Sequence, residues 1–157
     1  VVCPAHGAGI VKGFSELKPL DGSKRYYQIE LLKQVNTHVM IPVDSAEEQG
    51  VRPAITDEEL DQVWEVLSDE PKDLPPKHRT RYKVINDKFD SGSIIELAEA
   101  IRDMAWRRRE EDGLTKKGRR IYRRGLDLLA GEVAVAQGVK LDTAKSRIRK
   151  KLRKYLS

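Results

Sequence analysis

The side chains best suited to binding chemistry in this sequence are cations, which are crowded between positions 116 and 124. The set is Lys116, Lys117, Arg119, Arg120, Arg123 and Arg124. Cations at this density attract polyanions, because each one can neutralise a phosphate group. Helix stability does not require them, since cations in the first turns of a helix oppose its dipole. The pattern predicts a polyanionic partner, with a merely solvated charged face as the alternative.

Other kinds of chemistry have little support in the sequence. It shows no Ser/His/Asp set, no acidic metal cluster and no phosphate-binding loop. Cys3 is the single cysteine, so an internal disulfide and a zinc cluster are excluded, and His6 has no second ligand nearby. We therefore predict no enzyme activity, no cofactor, no metal and no small-molecule substrate. The apolar runs are too short to span a bilayer, so we expect no membrane partner and a cytoplasmic, nucleoid-associated location.

The charge is distributed unevenly along the 157 residues, although the formal net charge is only +5. Residues 1–55 are neutral, with six basic and six acidic residues. Residues 56–75 carry one lysine and eight acids, a net charge of −7. Residues 76–157 carry 23 basic and 11 acidic residues, a net charge of +12. This asymmetry predicts that the two ends of the chain meet different partners.

The elements that position these charges fall into two groups. Residues 1–43 show strand-like apolar runs, a glycine-rich turn at 4–9 and an Asp21-Gly22 hairpin signal, with no helical period. Strands this short predict a small Tudor-like β-barrel over residues 1–52, with an open edge that another protein's strand could pair with. The fold class is therefore α+β, with the barrel followed by an all-α helical bundle.

The helical domain is predicted over residues 53–157, beginning with an acidic helix and a proline-rich elbow at 53–76. Thr56 and Glu59 have the spacing of a capping box, and three prolines lie between 71 and 76. Further helices are predicted at about 77–88, from 93 and at 115–138. The 115–138 helix has an apolar stripe at helical period, formed by Tyr122, Leu126, Leu129, Val133 and Ala136.

The last helix, from about 142 to 156, supports a second interpretation of the function. Gly138 separates it from the preceding helix, an arrangement that resembles a helix-turn-helix whose second helix reads an operator. Its outer face carries Lys and Arg with almost no Asn, Gln or Glu to distinguish bases. That composition favours backbone contact, and the operator-specific regulator stays as the alternative.

The chain resembles the CarD/CdnL family of bacterial transcription regulators from end to end. The matching segments are 1–9 (VVCPAHGAG), 40–43 (MIPV), 50–52 (GVR), 81–83 (RYK), 91–93 (SGS), 99–103 (EAIRD), 113–114 (GL) and 128–134 (LLAGEVA). The resemblance implies a Tudor-like domain that pairs a strand edge with the β1 lobe, or protrusion, of the RNA polymerase β subunit. It also implies a helical domain that contacts double-stranded promoter DNA upstream of the melted region and stabilises the open complex.

Carried onto this chain, the resemblance and the charge pattern give two sets of candidate residues. The DNA-binding set is His78, Arg79, Arg81, Lys83, Lys116, Lys117, Arg119, Arg120, Arg123 and Arg124. The polymerase-binding set is Leu17, Tyr27, Val39, Met40, Ile41 and Pro42. Two departures from the family pattern are expected to matter. His78 stands where other members insert a tryptophan into the minor groove, and Leu17 and Met40 stand where some members use arginines.

Overall fold

A computed structural model describes residues 1–3, 7–17, 24–34, 36–110 and 114–156, without the side chains of 17, 24, 110 and 154–156. Four strands come first: β1 (Val2–Cys3), β2 (Gly7–Leu17), β3 (Lys24–Leu31) and β4 (His38–Pro42). Five helices follow: α1 (Asp57–Ser68), α2 (His78–Asp90), α3 (Ile94–Glu110), α4 (Lys116–Gln137) and α5 (Leu141–Leu156). The predicted α+β fold class is confirmed.

The strands form one curled antiparallel sheet in sequence order, a half-barrel consistent with a Tudor-like domain. β2 is longer than the short strands we predicted, and a bulge between Val11 and Gly13 bends it so that it can curl. Ile29 and Ile41 face the concave side and form a small core with Cys3. The predicted hairpin turn at Asp21-Gly22 and the residue His6 lie outside the described residues.

The helices share one larger aliphatic core, in which α1, α3, α4 and α5 pack together. The predicted capping box begins α1: Glu59 donates its backbone N–H to Thr56 Oγ1 at 3.1 Å, and Thr56 N–H donates back to Glu59 Oε1. Gly138 ends α4 in the left-handed conformation, with φ of 64°, which a residue without a Cβ adopts most easily.

The proline-rich elbow between α1 and α2 is held by buried polar contacts. Lys72 N–H donates to Asp103 Oδ1 at 2.9 Å, and the same oxygen accepts from Arg102 Nε at 2.9 Å. Arg102 also donates to the carbonyl of Val66 at the end of α1. These hydrogen bonds hold the elbow against α3 and thereby fix where α2 begins.

The sheet packs directly against the second half of α4. A Cβ added at Gly131 would lie 2.9 Å from the Cβ of Ala8, so only glycine allows β2 to come this close. Arg52 Nη1 lies 2.6 Å from Oε1 of Glu132, whose side chain is buried. Glu132 Oε1 has no hydrogen-bond partner among the described residues, so the contact acts as an ion pair.

A second ion-pair network joins the sheet to two helices. The carboxylate of Asp127 on α4 contacts Lys33 after β3 at 3.2 Å and Lys145 on α5 at 2.7 Å. Burial opposes ionisation of Asp127, but the hydrogen bonds from the two lysines outweigh it and lower its pKa below the ordinary value. The contribution of the network to stability is therefore retained at neutral pH and lost only as the pH falls through that lowered pKa.

Candidate nucleic-acid and polymerase interfaces

The first two turns of α4 are cationic on their solvent side and apolar on the other. All six predicted cations are exposed, whereas Gly118 and Tyr122 are buried. The described contacts of the sheet and its flanking residues with α4 include Asp127, Gly131 and Glu132, which lie further along the helix. One helix thus carries the cationic surface on its first half and the sheet on its second.

α2 brings a second group of cations to the same place. His78, Arg79 and Lys83 are exposed on its first turns. Tyr82 links the two helices, because its hydroxyl forms a hydrogen bond with Thr115 Oγ1 and the centre of its ring lies 5.1 Å from Lys117 Nζ.

A second contact sets the direction of α2 relative to α4. Phe89 near the end of α2 lies so close to Gly125 that a Cβ there would be 2.4 Å from the ring. Tyr82 therefore lies beside the start of α4 and Phe89 beside its middle, so α2 advances in the same direction as α4, and these two aromatic side chains connect the helices. Their N-termini, with the cations, are neighbours.

The charges at these two N-termini oppose what helix stability favours. α1 begins with three acids, as the positive end of a helix dipole prefers, whereas the first turns of α2 and α4 contain no acid and several cations. Each such cation costs roughly 0.3–1 kcal/mol at low salt. A phosphate placed there would interact favourably with the cations and with both dipoles.

Arg81 does not share the exposure of the other candidate cations. Its side chain is 3 % exposed, and its Nη1 donates to the carbonyls of Pro75 and Pro76 at 3.2 and 3.0 Å. Its Nη2 contacts Nδ1 of His78 at 3.1 Å. A guanidinium engaged in this way cannot reach a phosphate, so we assign Arg81 to holding the elbow and orienting His78, and remove it from the DNA-binding set.

β4 forms an open edge of the described sheet, whereas β1 is covered. Val2 exchanges backbone hydrogen bonds of 2.8 and 3.0 Å with Arg52, which closes that side. Leu31 N–H donates a hydrogen bond to the carbonyl of Thr37, and the pairing register continues from there along β4. In this register the backbone N–H and C=O groups of Val39 and Ile41 point toward β3. The backbone groups of His38 and Met40 therefore point outward, and Pro42, which has no N–H, ends the pairing edge.

The polymerase-binding candidates therefore occupy different positions on the sheet. Met40 is 38 % exposed and has an outward backbone, and Val39 and Pro42 are partly buried beside it. Ile41 is buried at 4 %, and Tyr27 packs against the same small core. Tyr27 on β3 and Ile41 on β4 both pack at the small core of the sheet, so we remove them from the contact set. The side chain of Leu17 lies outside the described residues.

Sequence reasoning missed an exposed aromatic residue on β2. Phe14 is 55 % exposed, with the guanidinium of Arg25 over its ring at 4.4 Å and the ring of Tyr27 at a centroid distance of 5.2 Å. An exposed aromatic on a strand is a common contact residue at interfaces. Its exposure depends on how β2 curls, which the alternation of residues along the strand does not specify.

Comparison with known proteins agrees with this two-part architecture. Residues 62–149 match the model of the CarD C-terminal domain, and residues 1–55 match that of the CarD-like/TRCF RID domain. The chain belongs to the CarD family. It is 29 % identical over 139 residues to "Putative transcription factor YdeB" of Bacillus subtilis (strain 168), which covers 88 % of this chain and 90 % of that protein. These matches support a transcription factor of the CarD type.

The described part of the chain shows neither a metal site nor a membrane-spanning helix. It contains no group of three or more His, Cys, Asp or Glu side chains placed to hold a metal ion. Over the same residues, no helix combines the length and apolar character needed to cross a bilayer.

We predict that Arg79→Gln and Arg81→Gln, although chemically identical changes, have different effects. Affinity for DNA falls with salt, and Arg79→Gln should make the slope of log affinity against log salt shallower by about 0.9, because one phosphate contact is lost. Arg81→Gln should leave the slope unchanged and lower the free energy of unfolding by about 1–3 kcal/mol, since it frees two carbonyls in the elbow. Salt titration and urea unfolding of both variants test this, and equal slopes would contradict it.

Proposed function

We propose that this protein is a non-catalytic transcription regulator that binds the β subunit of RNA polymerase, at its β1 lobe, and the promoter duplex just upstream of the melted region. Its role is to stabilise the open promoter complex without recognising a long operator. The observation that carries the proposal is the pairing of two cationic helix N-termini, α2 and α4, on a body whose sheet ends in an open strand.

The DNA contact is proposed to be electrostatic and largely independent of sequence. Exposed cations on α2 and α4 suit phosphates, and the same surface offers few amides to distinguish base edges. His78 is exposed and its ring lies 6.0 Å from that of Tyr82, at the position where the family places a wedge. It is smaller than a tryptophan, so we propose a shallow contact with the minor groove rather than a deep insertion.

The polymerase contact is proposed to be strand addition at β4. RID domains are RNA polymerase-interacting domains. An open edge with outward backbone groups at His38 and Met40 supports main-chain pairing with an extended segment of the β subunit. This mode does not require the arginines that some members use, which agrees with Leu17 and Met40 standing at those positions.

The alternative, an operator-specific regulator, predicts a strong preference for one sequence. The turn at Gly138 between α4 and α5 supports the comparison with a helix-turn-helix. The described exposed face of α5 offers Thr143 and Ser146 as its few uncharged polar side chains. We therefore retain this function only as the second candidate.

We predict that changing Arg119, Arg120, Arg123 and Arg124 together to Glu abolishes DNA association and spares polymerase binding. The four acids suit a helix N-terminus, so α4 should stay folded. Fluorescence anisotropy on duplexes of different sequence measures the first effect, and a pull-down with core polymerase measures the second. Loss of polymerase binding in the folded variant would refute the division of roles.

We predict that Met40→Pro weakens polymerase binding by about tenfold or more, because it removes an outward N–H from the pairing edge. The hydrogen bonds between β3 and β4 are made by its neighbours and should survive. Met40→Ala is the matched control, since it shortens the side chain but keeps the N–H, and it should bind within about threefold of the parent protein. Equal affinities for the Pro and Ala variants, with both folded, would exclude strand addition at this edge.

A further inference from the structure

α5 carries a basic row that the function proposed above does not use. Between positions 143 and 153 it has six cations and no acid: Lys145, Arg147, Arg149, Lys150, Lys151 and Arg153. The buried side of the helix is formed by Ala144, Ile148 and Leu152. The cations therefore lie on the remaining faces, which are not equivalent.

One side of α5 has structural partners for its cations. Arg147 donates to Gln137 Oε1 at 2.6 Å, and Lys151 lies over the ring of Trp64 on α1 at 5.9 Å. Stem packing and local hydrogen bonding are sufficient reasons for cations at these two positions. This side needs no external partner.

The other side of α5 lies against the cationic half of α4. Lys145 pairs with Asp127, and because the chain reverses at Gly138, the next turn of α5 lies beside an earlier turn of α4. Arg149 there is close enough to Tyr122 to oppose the increase in the pKa of its phenol that burial causes. Arg108 from the end of α3 approaches the same ring at 6.0 Å. Arg149 is thus continuous with the cationic first turns of α4.

This arrangement places like charges on two adjacent helices. Within the described residues, Arg149 and Lys150 are exposed, and neither has an ion pair with an acid. Lys150 lies about 100° further round the helix than Arg149, on the outward face opposite the buried stripe of Ala144, Ile148 and Leu152. Packed helices lie about 8–10 Å apart, so cations on the two rows repel each other in the free protein. A polyanion lying across both rows would turn that repulsion into attraction.

We infer that Arg149, on the α4 side of α5, and Lys150, on its outward face, form a second group of phosphate contacts to the same DNA duplex that α2 and α4 bind. The inference rests on the proposed function and extends it. The axes of packed helices lie about 8–10 Å apart, and the long Arg and Lys side chains can spread further, so cations on α4 and α5 can reach the two strands on either side of the major groove, which is about 12 Å wide. Single-stranded nucleic acid fits less well because, of the two rings described beside α5, Trp64 has Lys151 over it and Tyr122 is buried, so neither offers an open face for a base.

The test compares salt dependence of DNA binding for the full chain and three double variants on a duplex of mixed sequence. Arg149→Gln with Lys150→Gln should make the slope of log affinity against log salt shallower by about 1.8, since two phosphate contacts are lost. Arg147→Gln with Lys151→Gln is the matched control: it removes the same charge from the same helix and should leave the slope unchanged. Arg120→Gln with Arg124→Gln tests the α4 surface separately.

A gain-of-function variant guards against misfolding as an explanation. Ser146 is exposed one turn before Lys150, and Ser146→Lys should make the slope of log affinity against log salt steeper by about 0.9. Equal effects of the Arg149/Lys150 and Arg147/Lys151 variants would overturn the inference, as would a loss confined to one DNA sequence. A slope lowered only by the α4 variant would overturn this inference and leave the proposed function intact. If no variant changed the slope, both would be refuted.

Discussion

The contact between the curled sheet and the second half of α4 is the constraint on which the rest of the structure depends. It is made by three kinds of interaction: the close approach of Ala8 to Gly131, the Arg52–Glu132 ion pair, and the Asp127 network with Lys33 and Lys145. Because Glu132 is buried, its charge is costly without the partner guanidinium. The β4 edge and the cationic helix ends are therefore held in one fixed relation, whereas a flexible tether would let them move independently.

α4 carries both the cationic surface and the contact with the sheet, because its two halves have different compositions. Its apolar stripe is continuous, but arginines and lysines occupy the outward positions at the start, and Asp127, Gly131 and Glu132 occupy the region that meets the sheet. Charge is separated in the same way over the whole chain, with acids at the start of α1 and cations at the starts of α2 and α4. Cations at the starts of α2 and α4 interact unfavourably with the helix dipoles, and these are the positions proposed to contact phosphate. The proposed function therefore explains why the sequence keeps cations that lower helix stability.

Much of the local structure was predictable from the sequence, because it depends on neighbouring residues. The Thr56–Glu59 capping box, the helix end at Gly138 and the apolar stripe of α4 follow from spacing alone. The roles of Arg81 and Ile41 did not follow, since each depends on contacts with other segments: the Pro75 and Pro76 carbonyls for one, the curl of the sheet for the other. The link between Tyr82 and Thr115 joins residues far apart in sequence, so no periodicity could indicate it.

The most direct test of the fixed relation is the lifetime of open promoter complexes formed with the Gly131→Leu variant. A leucine side chain there must push Ala8 away, which separates the sheet from α4 without altering β4 or the cationic turns. Binding to polymerase alone and to DNA alone, measured first, should match the parent protein. The account predicts that this variant no longer extends the lifetime of the open complex. A lifetime equal to that given by the parent protein would show that the two surfaces act without a fixed orientation.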